Sequence, residues 1–224
     1  MRSFELCNDC DSRTCIDRCN YDAVTLTGRD ISSEELLDII AKDIPFYHNS
    51  DGGVTFSGGE PFAQPEFLLD MLQKCKALGI HTAVETCGWA SGKAIRKAIP
   101  YTDLFLYDLK ILNPDLHLEF TGKPVDTVIA NLAFLSSRKA NVIIRFPVIP
   151  GITDSPENLE DIAAIMSLNH LKQIGLVPYH CLGTDKYGEH GMKYTLDHLK
   201  QCDPEQIIAV RNFFRKKDLI CDIS

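Results

Sequence analysis

Apolar positions along this chain follow two rhythms in turn. Short, strongly apolar runs at 53–56, 82–85, 104–108, 142–146, 174–177 and 219–222 read as strands, and most are separated by stretches with apolar residues every three to four positions. Those stretches predict helices over 33–43, 65–78, 125–139, 156–168 and 204–217. Ser32 and Glu35 have the spacing of a capping box ahead of the first helix. A Pro-Glu start and a stop at Gly79 bound the second. Strand and helix alternating across short breaks predict parallel strands under a layer of helices. Six units fall short of the eight that close a barrel. The predicted fold class is α/β: a partial, open β/α barrel of parallel strands, with a doubly wound sheet as the alternative. A cysteine-rich segment over 1–30 precedes the barrel, which takes up 31–224.

Polar residues collect where the strands end. The first strand runs into Ser57, Gly58, Gly59, Glu60 and Pro61, the second into Glu85 and Thr86, and the third into Asp108, Leu109 and Lys110. The fourth carries Arg145, and the fifth leads to Pro178, Tyr179 and His180. In parallel α/β folds the carboxyl edge of the sheet is where ligands bind, so five successive strands ending this way predict a site there. Gly58 and Gly59 let backbone approach a ligand with no side chain between, and Glu60 offers an acceptor for an ammonium group. Asp108 and Lys110, two apart on a strand, point the same way and either bind a zwitterion or pair with each other.

Composition narrows the classes. Lys plus Arg total 23 against 31 Asp plus Glu, a net charge of −8, which lacks the basic footprint of a nucleic-acid surface. No apolar run approaches a membrane span, and the first residues have no signal-peptide core. A cytoplasmic location is expected. Of nine cysteines, Cys7, Cys10, Cys15 and Cys19 crowd the N-terminus, while the other five are scattered and read most simply as small buried hydrophobes. Four thiolates within thirteen residues predict a metal site, with little chain entropy lost in closing it. Tetrahedral zinc accepts four cysteines. A [4Fe–4S] cluster does too, and the three-residue final gap suits a ferredoxin-type loop. Iron–sulfur is the favoured reading and zinc the alternative.

The run from Gly52 to Pro61, followed by Gln64, Pro65 and Phe67, resembles the radical S-adenosylmethionine activases of glycyl-radical enzymes, such as that of pyruvate formate-lyase. The likeness continues through Gly79 to Thr82, Tyr107 to Lys110, Ile144-Arg145, Val148 to Gly151 and Pro178 to His180. It implies a partial barrel, S-adenosylmethionine and a [4Fe–4S] cluster. It also implies a glycyl-radical enzyme as partner and a flavodoxin or ferredoxin as electron donor. By the same resemblance Gly58, Gly59 and Glu60 lie at the cofactor's amino group, Asp108, Leu109, Lys110 and His180 contact the cofactor, and Glu85, Thr86 and Arg145 lie near the radical path. Cys7, Cys10, Cys15 and Cys19 are similar to the ferredoxin-like insert of one branch and imply an auxiliary cluster.

The family's Cys-x3-Cys-x2-Cys loop is not in the sequence. Asp22 stands where Cys15-x3-Cys19 would need its third thiolate, and a carboxylate is a hard ligand for such a site. The chain is accordingly expected to lack the first βα unit and to be impaired as an activase on its own. Two other readings are a truncated remnant that binds iron–sulfur or S-adenosylmethionine, and a metabolite-binding α/β protein with structural zinc.

Overall fold

A computed structural model describes residues 12, 14–18, 20–21, 28–189, 191–196, 199 and 201–223. The chain divides into two compact units, Ser33–His180 with Lys200–Ser224, and Met1–Ser32 with Cys181–Leu199. In the described part of the second, short helices cover Thr14–Asp17 and Asp185–Glu189, and the rings of Tyr187 and Tyr194 meet edge to face at 4.9 Å.

The larger unit is built on six strands: β1 (Gly53–Phe56), β2 (His81–Thr86), β3 (Leu104–Asp108), β4 (Val142–Val148), β5 (Gln173–Pro178) and β6 (Ile220–Ile223). Every neighbouring pair is parallel, and the strands lie side by side in chain order. A doubly wound sheet reverses its order at a switch point. This one never does, so the barrel-type expectation holds and the alternative falls. Helices α1 (Ser33–Ala41) and α2 (Ile44–Ser50) precede β1, and α3 (Pro65–Ala77), α4 (Gly92–Ala98), α5 (Pro114–Thr121), α6 (Asp126–Ser137), α7 (Pro156–Leu168) and α8 (Pro204–Arg215) fill the connections between strands.

Side chains alternate along each strand. In β4, Val142, Ile144, Phe146 and Val148 are buried and the residues between them half-buried. The buried set joins Val84, Phe105, Tyr107 and Leu176 in one core with Leu72, Leu132, Ile162 and Phe214 from the helices. Phe146 meets Phe214 edge to face at 5.6 Å. Of the five scattered cysteines, Cys75 and Cys221 are buried as expected and their thiols are pushed up to about 11 by burial. Cys87, Cys181 and Cys202 are only half-buried.

The predicted strands and the five predicted helices all form, within one or two residues at their ends. Helices α2, α4 and α5 have no counterpart in the apolar pattern. The reason is local: α2 buries no side chain, α4 spans only seven residues, and α5 buries only His117. Strand β4 runs through Pro147, where a ladder bond would otherwise be made. The Leu109 amide donates to the Arg145 carbonyl at 3.0 Å. The next bond in that parallel ladder would come from the amide of residue 147, which proline lacks. Strands β3 and β4 therefore part just beyond Asp108.

Candidate functional site

Strand β1 ends in a turn stripped of side chains. Gly58 has a φ of +121°, a conformation L residues rarely adopt, and no atom lies within 4 Å of where a Cβ would stand on Gly58 or Gly59. The outer side of the turn is bare. Glu60 closes it and caps the short turn Pro61–Ala63. Its carboxylate accepts from the Phe62 amide at 3.0 Å, the Thr86 hydroxyl at 2.8 Å and the Cys87 amide at 2.9 Å. Most of the acceptor capacity that the sequence suggested for a ligand ammonium is thus spent inside the protein.

Strand β2 places its two terminal polar residues on opposite faces. Thr86 is buried on the helix side, whereas Glu85 faces the concave side. There Glu85 accepts from the Ser57 hydroxyl at 3.0 Å and forms an ion pair with Arg145. The register pairs Glu85 with Leu106 and Asp108 with Arg145, so Arg145 reaches over β3 to meet a carboxylate two strands away. The concave face holds a cavity of about 710 Å³, lined by Ser57, Glu85, Leu106, Arg145, Gln173 and Asp222 among others. Glu85 and Arg145 are therefore brought together, and Thr86 is taken away from them.

At the end of β3, Asp108 and Lys110 pair loosely at 3.6 Å. Burial raises the Asp108 carboxyl above its ordinary range, and the nearby Glu60 charge adds to this while Lys110 opposes it. The side chain of Leu109 lies in the core, so only its backbone faces a ligand, and the carbonyl is the group left where the ladder stops. Asn158 on α7 fixes the following segment. Its amide group donates to the Lys110 carbonyl at 2.9 Å and to the Thr153 carbonyl at 2.8 Å, and its oxygen accepts from the Leu112 amide at 3.0 Å. His180 is exposed two residues past the end of β5, and the Tyr179 amide before it donates to the Val148 carbonyl at 3.1 Å. Gly59, Asp108 and His180 thus lie at or just past the carboxyl ends of alternate strands of one sheet.

Sequence reasoning passed over the residues that hold these loops. The buried Asn131 on α6 donates to the carbonyls of Gly88 and Ala90, both at 2.9 Å. The Tyr107 hydroxyl donates to the Val128 carbonyl at 2.7 Å, and a Cβ on Gly88 would overlap that hydroxyl. An amide within the apolar stripe of 125–139 was the available signal. Beside Glu60, the Cys87 thiol is half-buried and pushed up, chiefly by burial and then by the carboxylate.

Of the four N-terminal cysteines expected to bind metal, Cys7, Cys10 and Cys19 lie outside the described residues; Cys15 is an exposed free thiol on Thr14–Asp17. Among the described residues no three potential metal ligands gather.

The radical SAM superfamily model matches residues 11–163. The 4-hydroxyphenylacetate decarboxylase activating enzyme of Clostridioides difficile (strain CD196) is 35% identical over 220 residues, which are 97% of this chain and 69% of that protein. The choline trimethylamine-lyase activating enzyme of Oleidesulfovibrio alaskensis is 38% identical over 200 residues, 88% of this chain and 64% of its own length. A domain of pyruvate-formate lyase-activating enzyme from Bacteroides vulgatus ATCC 8482 superimposes with a TM-score of 0.65 at 27% identity, covering 77% of this chain and 99% of that one. The chain therefore spans about two thirds of the length of these curated relatives.

Proposed function

This chain belongs to the radical SAM superfamily, among its activating enzymes of glycyl-radical enzymes, and from that premise we propose that the carboxyl edge of its sheet binds S-adenosylmethionine for transfer of a hydrogen atom from a partner's glycine. Members of the superfamily use S-adenosylmethionine and a [4Fe–4S] cluster. The observation that carries the assignment is the pairing of a bare glycine turn after β1 with an acid–base pair at the end of β3, on the same edge of the sheet with one strand between them. The cofactor's amino acid portion is a zwitterion. Asp108 and Lys110 stand 3.6 Å apart, too far for a strong mutual bond, and each gains from a ligand group of opposite charge. An ammonium arriving beside Asp108 offsets the burial that now disfavours its ionised form.

The parts of the chain divide the work. Lys110 holds the carboxylate of the cofactor and Asp108 its ammonium, while the Gly58–Gly59 turn and the Leu109 carbonyl allow close backbone approach. The Glu85–Arg145 pair lines the concave cavity into which the partner's glycine must come. When bound, a [4Fe–4S] cluster would supply the one electron with which S-adenosylmethionine and the glycine Cα–H would give methionine, 5′-deoxyadenosine and a glycyl radical. The partner is a glycyl-radical enzyme of the pyruvate formate-lyase kind, and the donor is a flavodoxin or ferredoxin. Cys7, Cys10, Cys15 and Cys19 bind an auxiliary cluster. Cys15, Cys75, Cys87, Cys202 and Cys221 are free thiols, which suits a reducing, cytoplasmic setting.

The test is anaerobic. Protein reconstituted with iron and sulfide is mixed with reductant, S-adenosylmethionine and a candidate glycyl-radical enzyme. A glycyl doublet in the electron paramagnetic resonance spectrum with matching 5′-deoxyadenosine supports activase chemistry by this chain. Protein that does not bind S-adenosylmethionine overturns the site assignment. The sequence lacks Cys-x3-Cys-x2-Cys, which favours a second reading in which this chain binds S-adenosylmethionine without cleaving it. Binding without 5′-deoxyadenosine selects that reading, and iron and sulfide counts separate an auxiliary cluster from zinc.

A further inference from the structure

Resting on the assignment of the glycine turn to the cofactor, we propose that Thr86 and Asn131 are positioning residues for S-adenosylmethionine. They act through Glu60, tying the Gly58–Gly59 turn to helix α6.

The tie can be followed atom by atom. Glu60 directly follows the turn, and its Oε1 accepts from the Thr86 hydroxyl at 2.8 Å. The same Thr86 oxygen accepts from the Gly88 amide at 3.0 Å. The Gly88 carbonyl, with that of Ala90, takes the two amide hydrogens of Asn131 at 2.9 Å each. Gly88 has a φ of +74°, and the Tyr107 hydroxyl, which donates to Val128 on α6, occupies the space a side chain would need. The β2 loop is therefore held by α6 from one side and holds Glu60 on the other.

Burial gives the tie its rigidity. Thr86 is 1% exposed and Asn131 6%. In such surroundings a polar group that loses its partner is costly, so the arrangement has few alternatives. Neither side chain is on the cofactor's side of the turn: Thr86 faces the helices, and Asn131 belongs to one. Both act on the ligand only by fixing where the turn stands, and a sub-ångström shift of a positioning group is enough to weaken a contact.

Two measurements on the reconstituted protein test this, with Thr86→Val, Thr86→Ser and Asn131→Ala. The first is amide hydrogen exchange without ligand, at Phe62 and Cys87, whose amides bond Glu60. The second is the preference for S-adenosylmethionine over its analogue lacking the α-amino group. Thr86→Val is expected to speed exchange at both amides about tenfold and to cut the preference about tenfold, with exchange in α8 unchanged. Thr86→Ser, which keeps the hydroxyl, is expected to restore both. Asn131→Ala is expected to move both in the same direction, and it carries the test if Thr86→Val unfolds. Faster exchange with an unchanged preference overturns the proposal, as does no change in either. A wild-type protein with no preference for the amino group overturns the cofactor assignment itself, and the proposal with it, a result distinct from the others.

Discussion

Asp103 and Asp108 stand at opposite ends of strand β3, and the fold treats them in opposite ways. Burial opposes the ionisation of Asp103, but the Lys76 ammonium and the Thr82 amide, bonded at 2.9 Å, outweigh it and hold the carboxyl below its usual range. At the other end, burial dominates at Asp108, Lys110 only partly compensates, and the carboxyl is raised. The amino end of the sheet is thus locked by a satisfied charge. The carboxyl end carries a charge the fold leaves under-compensated, as is common where a ligand completes the site.

Breaking the locked end gives the largest effect. Asp103→Ala leaves the Thr82 amide without its acceptor, and the unfolding free energy is expected to fall by about 2–3 kcal/mol in urea titrations, with S-adenosylmethionine affinity unchanged. Asp108→Asn is expected to do the reverse. It leaves the protein as stable as wild type or more so, while the dissociation constant measured by calorimetry rises about tenfold, or about 1.4 kcal/mol. Should Asp108→Asn destabilise the fold and spare binding, the contrast between the two ends is wrong.

Acidity sharpens the same comparison. The folded pKa of Asp103 lies below its unfolded value, so it stabilises the fold above the unfolded pKa and loses that contribution as pH falls through the folded one. The folded pKa of Asp108 lies above its unfolded value, so its ionisation costs stability at neutral pH, and the cost fades on acidification. The stability gap between Asp108→Asn and wild type is therefore expected to be widest near pH 7 and to close toward about pH 4, as read from urea midpoints. The smallest effect belongs to the turn. Gly59 has open space where a Cβ would stand, so Gly59→Ala is expected to change stability by less than about 0.5 kcal/mol while weakening cofactor binding.

Strands were legible because β-branched and aromatic runs are short and sharply bounded, and the chain-order sheet follows from regular alternation with helices. The strand-end residues were legible for the same reason: the end of a strand fixes which edge its last polar residue occupies. What those residues touch was not. The Glu85–Arg145 pair depends on a side chain crossing β3, which no local pattern encodes. Glu60 looked like a ligand acceptor, and its three internal donors come partly from residues 26 and 27 positions away. Asn131 and Asn158 stood out only as amides among apolar helix positions, and all of their partners but Thr153 lie more than 40 residues off in sequence.

The chain-order sheet also bears on how the protein is made. Each described strand pairs only with its neighbours in the sequence, so none of these strands waits for a distant partner before it can dock. A nascent chain can add one strand and its covering helix at a time to an edge already formed, in the order in which the ribosome releases them. Among the described strands the growing edge is then always the carboxyl-terminal one.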